Sequence, residues 1–361
     1  MKFKRLIIQR FRNIQDVTLE PSDKFNCMYG QNGSGKTSFL ESLYYFSLMR
    51  SFRSHLISRI IHQDASDMVL FADIADKENN VSIGIQRSLS KEFKCHLQHK
   101  PIKSIAELAI LLPVVLINPD SFSLLDGGSK PRRAMLDWGL FHVEHHPYYK
   151  TWLNFQRLLK QRNEALKYAS QSTEITVWDH HLCVAAESIH AYRLNYYKQL
   201  EPLFKQNLAN IGLFTDIAFD YHAGWHSEEA LSTLLKDHLT KDRERGYTFY
   251  GPQRADFSFK LNKVPLQDFL SRGEQKLVIT LFKIAQVELL YQLKQKESIF
   301  LIDDLPAELG KTFQEHMLMH LEQLNSQVFI TAIDKQSLAP FLSAKDCRMF
   351  HVEQGQIHPV E

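Results

Sequence analysis

An α/β P-loop nucleotide-binding head, interrupted by an inserted helical lobe, is the fold class this sequence predicts. Three observations lead there. The run Gly30-Gln31-Asn32-Gly33-Ser34-Gly35-Lys36-Thr37 matches G-x-x-x-x-G-K-[ST], with an apolar run at 25–29 before it and a helical pattern at 36–49 after it. Far downstream, an apolar strand at 298–302 ends in Asp303-Asp304. Between these, residues 132–204 turn helical, with Trp152, Phe155, Leu158, Leu159 and Leu166 as apolar anchors among interleaved charges.

The other elements follow in chain order. Strands are expected at 4–11 and 17–19, joined around Arg12-Asn13, and then at 68–74, 81–88 and 93–97. Val81, Ile83 and Ile85 alternate with Ser82, Gly84 and Gln86, as in a half-exposed antiparallel sheet. A continuous apolar run at 111–117 suits a buried strand. After the helical stretch come strands at 215–221 and 257–261, a long helix at 274–294, and buried strands at 298–302 and 328–332. The chain therefore divides into an N-terminal head part with the P-loop (1–120), a helical lobe (121–210) and a C-terminal head part (211–361). The lobe is too short for a long coiled-coil arm: two antiparallel helices of about 35 residues reach only about 50 Å.

Composition sets bounds without naming a function. The 361 residues carry 44% hydrophobic and 23% charged side chains and a formal net charge of +2. That balance neither demands nor excludes nucleic acid, so any DNA contact has to come from local basic patches. Cys27, Cys95, Cys183 and Cys347 are scattered without a C-x-x-C pair, the usage of reduced thiols in a cytosolic protein. The N-terminus leads into a strand pattern, not a signal peptide, and no stretch approaches about 18 uninterrupted apolar residues. A cytoplasmic location without a membrane partner is the expectation. Neither His142, His145 and His146 nor His180 and His181 have the H-E-x-x-H spacing, and surface or packing roles are expected of them.

The motifs specify chemistry. Glycines let successive backbone N–H groups turn toward one anion, and the following helix N-terminus adds partial positive charge. Lys36 is expected to reach the β- and γ-phosphates of ATP, and Thr37 to give a hydroxyl to Mg²⁺. Ser38, Arg12 and Asn13 complete the nucleotide-binding candidates. The strand ending at Asp303 has the Walker B pattern: Asp303 would hold Mg²⁺ and Asp304 would orient or deprotonate the attacking water, with Glu308 as a second candidate base. In Leu270-Ser271-Arg272-Gly273-Glu274-Gln275-Lys276, Ser271 and Glu274 form a capping box for the long helix. A capped helix start is also an anion site, and this one would meet the γ-phosphate held by a second copy of the chain.

Here the residues resemble a known family. Ser271 through Lys276 is similar to the signature motif of ABC-type ATPases in its SMC-like, chromosome-maintenance form, and the whole chain resembles the RecF family. Pro119-Asp120 through Leu124-Leu125-Asp126-Gly127-Gly128 to Arg132-Arg133, Gln161-Arg162-Asn163 and Tyr250-Gly251-Pro252-Gln253-Arg254-Ala255-Asp256 carry the resemblance besides the ATP motifs. It departs from the family at Ser129 (usually Pro), Met135 (usually aromatic) and Gly310 (usually Asp, near the dimer interface). Thr331 stands where many ABC ATPases have a γ-phosphate-sensing His. The resemblance also suggests Asn118 for the Mg²⁺- and water-sensing loop. It implies an ATP-dependent homodimer, slow hydrolysis, and DNA binding at gaps and junctions of single and double strands without sequence preference. RecR and RecO are the implied partners, with recombinase loading and support of the SOS response as the outcome.

The DNA contacts expected are Arg50 and Arg53 after the P-loop helix, with Arg59, and Arg132, Arg133, Arg157 and Arg162 in or near the lobe, with Lys160. For any one of these residues a solvated helix face is the commoner origin of such a charge. Three other readings stay open: the nucleotide-binding subunit of an ABC transporter, a small-molecule P-loop kinase, and a DNA-binding scaffold in which ATP is structural.

Overall fold

Lys2–Phe11 (β1) and Ile14–Leu19 (β2) pair antiparallel around Arg12-Asn13. The computed structural model describes residues 1–76, 79–90, 92–212, 216–226, 228–304, 310–342 and 346–360. After Phe25–Tyr29 (β3) and Lys36–Leu48 (α1), the strands Asp67–Asp76 (β4), Asn79–Ser88 (β5), Phe93–Leu97 (β6) and Lys100–Pro101 (β7) extend the first pair. Together they make an antiparallel sheet in the order β2-β1-β4-β5-β6-β7. The apolar run at 111–117 is not one strand. Ile105–Leu111 is a helix (α2) and only Val114–Ile117 is extended (β8), because Pro113 between them cannot continue a helix.

The chain then builds Ser129–Glu144 (α3), His146–Tyr168 (α4), Ser172–Thr176 (α5), Asp179–Ile211 (α6), Ile217–His222 (β9), Leu231–Asp237 (α7), Leu239–Arg245 (α8), Asp256–Leu261 (β10) and Val264–Pro265 (β11). It closes with Arg272–Lys294 (α9), Ser298–Ile302 (β12), Lys311–Gln323 (α10), Ser326–Ala332 (β13), Ala339–Leu342 (α11), Cys347–Glu353 (β14) and Gln356–Val360 (β15). Thr215, the expected start of a strand, lies outside the described residues; the strand is observed from Ile217. The C-terminal hairpin β14–β15 was not anticipated.

Two compact units result. The first joins 1–121 to 272–361; the second is 122–271. The lobe expected at 121–210 is thus longer, because β9 to β11 belong with its helices: Phe204 on α6 meets Phe259 on β10 edge-on at 5.5 Å, and Tyr197 donates to the Phe219 carbonyl at 2.6 Å.

In the first unit a second sheet runs β15-β14-β3-β13-β12-β8, parallel except at β15. Helix α1 is buried on most sides because it packs against both sheets. Its Phe46 lies 5.6 Å from Phe3 of β1, and its Phe39 lies 6.0 Å from Phe329 of β13. The P-loop is thereby mounted on a helix with little freedom to shift.

In the second unit residues of the three stretches that carry the resemblance form internal polar ties. Arg132 holds Asp256 through Nε and Nη2 at 2.8 and 2.9 Å, and Arg133 donates to the Ala255 carbonyl at 2.8 Å. Arg162 is fully buried and donates to Asp179, Asp242 and Thr248 at 2.7, 2.9 and 2.8 Å. Arg162 is therefore not available to DNA: it joins α4 to α6, α8 and the chain after α8. Asn163 accepts from both the N–H and the hydroxyl of Thr248, each at 2.8 Å.

Candidate nucleotide site

Strand β3 delivers the loop 30–35, and two glycines show why no side chain fits there. A Cβ on Gly30 would lie 2.1 Å from the Val352 carbonyl oxygen, and one on Gly355 would lie 2.0 Å from the Asn13 carbonyl oxygen. Gly355 has φ 78° in the turn of the C-terminal hairpin, and its N–H donates to the Ser34 carbonyl at 2.7 Å. That hairpin therefore braces the P-loop from behind. A Gln354-Gly355 turn between alternating apolar residues was the available signal for it.

Lys36 is buried, and its Nζ donates to the carbonyls of Gly30 at 2.6 Å and Gln31 at 3.0 Å. Burial lowers its pKa, while the nearby Asp304 and Asp303 act in the opposite direction. Thr37 Oγ1 donates to the Asp303 carboxylate, 3.0 and 3.1 Å from its two oxygens.

The strand between β3 and β12 is β13, and it supplies the residue that organises the acidic pair. Thr331 Oγ1 donates to Asp303 Oδ1 at 2.8 Å and accepts the Asp304 N–H at 2.9 Å. Asp303 is 7% exposed; burial raises its pKa, against the hydrogen bonds from Thr331 and Thr37. Asp304 sits at φ 52° in the left-handed region, and its Oδ1 is buried without a protein partner. Its carbonyl accepts from Lys276 Nζ at 3.2 Å, which ties the start of α9 to the Walker B turn. Replacing Thr331 with Val should leave the Asp304 N–H unpaired and cost about 1–3 kcal/mol. A lowered melting temperature together with reduced ATP turnover checks this; unchanged values for both would remove Thr331 from the account.

These groups face a cavity of about 560 Å³, within the ordinary size range of small-molecule sites. Arg12, Asn13, Asn32, Gly33, Gly35, Lys36, Thr37, Ser38, Asp303 and Asp304 line it, so most of the expected residues are brought together. Gly30, Gln31 and Ser34 shape the loop behind them. Asn13 Nδ2 donates to the Gly33 carbonyl at 3.2 Å. Arg12 donates to the fully buried Glu41 through Nε at 2.9 Å and Nη2 at 2.6 Å, and to the Arg59 carbonyl. Arg53, expected on DNA, also lines this cavity, 3.7 Å from Glu41. Glu41 and the stretch around His62 and Gln63 were missed, since an isolated acid in a helix and a loop without a motif carry no signal.

The residues fit a magnesium nucleotide. Thr37 and Asp303 present hard oxygen donors side by side, the loop's Ser34 Oγ and Asp304 Oδ1 are buried with unfilled hydrogen-bonding capacity, and Lys36 lies against the loop. Asn118 is not among the cavity-lining residues. Its side-chain oxygen accepts from Ser121 Oγ at 3.0 Å in a local turn after β8. Glu308 lies outside the described residues. Ser271 is exposed immediately before the first helical residue of α9, where a cap belongs; Gly273 and Glu274 are half-buried and Gln275 is buried. Of the remaining basic candidates, Arg50, Arg59, Arg157 and Lys160 are exposed, Arg132 is committed to Asp256, and the half-buried Arg133 donates to the Ala255 carbonyl without an ion pair among the described residues.

Residues 2–358 match the RecF/RecN/SMC N terminal domain family. A protein of Shewanella frigidimarina (strain NCIMB 400) named DNA replication and repair protein RecF is 41% identical over 364 residues, 100% of both chains. The chain belongs to the RecF family. Another RecF, of Psychromonas ingrahamii, is 40% identical across 99% of both chains. The fold agrees with a solved structure described as the recombination mediator protein RecF-ATP in the RecFOR pathway. Its TM-score is 0.86 at 22% identity, covering 100% of this chain and 98% of that one. It is also similar to an SmcHead bound to the C-winged helix domain of ScpA, at TM-score 0.61 and 13% identity, covering 100% and 97%. The RecF fold, an SMC-like ATPase head with an inserted lobe, is what the motifs predicted, and RecF kinship favours it over the transporter reading. Among the described residues no helix is long and apolar enough to cross a membrane, and no cluster of three His, Cys, Asp or Glu could hold a metal ion.

Proposed function

We propose that this chain is an ATP-dependent DNA-binding protein of replication and recombinational repair that dimerises with ATP on gapped or junction DNA. The observation that carries the proposal is the Thr37–Asp303–Thr331 cluster, which joins the P-loop helix to the Walker B strand in a chain related to RecF over its whole length.

Bound ATP with Mg²⁺ would supply the phosphoanhydride to be cleaved and the cation that offsets its charge. Lys36 offers a compact ammonium to phosphate oxygens, and Thr37 and Asp303 offer the metal donors. Asp304 presents a carboxylate oxygen for the attacking water, one methylene shorter than a glutamate; slow turnover follows, as suits a timed clamp. Glu308 is the second candidate base. Ser271 and Gly273 of a second copy would close over the γ-phosphate, so ATP favours the dimer through contacts that the monomer lacks. Lys276 carries that load to the Asp304 turn. Arg50, Arg59, Arg157 and Lys160 are exposed cations open to DNA phosphates, and binding through them weakens steeply with salt. RecO and RecR are the partners, recombinase loading and the SOS response the context, and the cytoplasm the location, by RecF kinship.

Sedimentation with and without ATP and Mg²⁺, run beside gapped-DNA binding, tests this. Dimers and tight DNA binding should need ATP. Ser271→Arg should keep nucleotide binding and lose the dimer; ATP-dependent dimers from that variant would sink the sandwich. Equal DNA affinity with ATP, ADP and a slowly hydrolysed analogue would instead make the nucleotide a structural element of a scaffold.

A further inference from the structure

We infer that a second cavity, within residues 122–271, is a binding site for one nucleobase with its attached phosphate. The cavity holds about 490 Å³ and is walled by α3, α4 and α6 and by the chain at 252–253. Its chemistry has three parts, and each suits one part of that ligand.

The first is a flat apolar wall. Tyr149 and Trp152 are three apart on α4 and so share a face, and Phe141 of α3 meets Tyr149 edge-on at 5.7 Å. Both Tyr149 and Trp152 are only half-buried, which leaves ring surface on which a base can stack. The second is positive charge that is not tied up in an ion pair, although Asp256 and Asp137 lie near it. The cavity's carboxylate, Asp137, is already saturated: Arg193 holds both of its oxygens at 2.9 Å and Tyr148 donates to it at 2.6 Å. Arg133 is steadied by neutral acceptors, Ser129 Oγ at 2.5 Å and the Ala255 carbonyl at 2.8 Å, and makes no ion pair among the described residues. Lys130 at the rim is exposed. A phosphate is the group that such a pair of cations attracts.

The third is a fixed acceptor. Gln253 Nε2 donates to the carbonyls of Thr248 at 3.2 Å and Tyr250 at 3.0 Å, which sets the orientation of its amide. Its Oε1 is buried with no protein partner. A base edge bearing an amino or ring N–H satisfies that oxygen, whereas an aliphatic side chain would not. This cavity shares no residue with the nucleotide site of the first unit.

The inference rests on the DNA-binding reading for one of its two sources: the base comes from an unpaired strand beside a duplex, or from a free mononucleotide. The full chain is titrated with three probes at saturating ATP, so that the P-loop is filled. They are gapped DNA with 2-aminopurine at the first unpaired position, the same DNA with 2-aminopurine inside the duplex, and free 2-aminopurine deoxyriboside monophosphate. Duplex and gapped-DNA binding are followed separately by anisotropy. Quenching of the first probe but not the second is expected, with the affinity of that probe about tenfold weaker in Trp152→Leu. In Lys130→Ala, an exposed position that spares the fold, the salt dependence should also fall. If gapped DNA binds but neither the unpaired nor the free probe is quenched, or if both variants behave as the parent, the pocket is refuted and the DNA reading survives. If no DNA binds but the free probe is quenched through Trp152, the site takes mononucleotides and the DNA reading fails. If no DNA binds and no probe is quenched, both are refuted.

Discussion

Replacing Arg162 with Ala should destabilise the 122–271 unit by about 3–5 kcal/mol, because the change leaves buried carboxylates without their cation. Asp242 is almost fully buried, and Asp179 is mostly so; both lean on this guanidinium, which is itself fully buried. Thr248 loses a donor as well. For a unit of this size the melting temperature should fall by about 10 °C or more. Arg162→Lys should recover only part of the loss, since one ammonium cannot span the partners reached by a planar fork. Thermal melting by circular dichroism, with limited proteolysis to show which unit opens, checks this. A variant that melts with the parent yet binds DNA far more weakly would reverse the assignment and return Arg162 to the DNA surface.

Asp303→Asn should separate function from stability. Hydrolysis should fall at least about 100-fold, because an amide is a poor substitute for a carboxylate as a Mg²⁺ donor and even outer-sphere changes cost metal sites about 10- to 100-fold. The apo fold should nevertheless become more stable at neutral pH. Burial raises the Asp303 pKa above 3.8, so folding favours the protonated acid. That favourable contribution is complete below the unfolded pKa and is lost as pH rises through the folded one, which leaves a poorly solvated charge at pH 7. The asparagine avoids this charge. Its advantage should therefore shrink as pH drops toward the usual aspartate range. Melting curves across pH, each with and without ATP and Mg²⁺, read both effects. Ligand should raise the parent's melting temperature and leave the variant's nearly unchanged. An apo variant less stable than the parent at pH 7 would show that the hydrogen bonds from Thr37 and Thr331 outweigh the cost of burying the charge.

The parts of the site that were legible share one property: their geometry is local. Eight successive residues make the P-loop, a serine with four apolar residues and two acids makes the Walker B strand and its end, and Ser271 stands directly before the helix it starts. In each, backbone propensity and short spacing nearly fix where the side chains go. The basic candidates were less legible because a charge on a helix has the same appearance in sequence whether its face is wet or covered. Arg162 and Arg157 lie on one helix, five residues apart, yet one is fully buried and the other is exposed. Arg53 went to the nucleotide cavity because Glu41, a buried acid on the P-loop helix, draws it and Arg12 together.

The sequence by itself determined the local motifs of this protein: a glycine loop running into a helix, an apolar strand ending in two acids, and a serine directly before a long helix. Tertiary structure alone decided how they are combined. Strand β13 lies between the P-loop and Walker B strands, and that order brings Thr331 onto both acids. The hairpin turn at Gly355 comes from the far end of the chain to brace the loop. The Thr331 contacts span 27 and 28 positions and the Gly355 contact joins opposite ends of the chain, and no local preference encodes either. They form because burying the sheets and α1 together leaves one arrangement in which the strands pair and the core is filled.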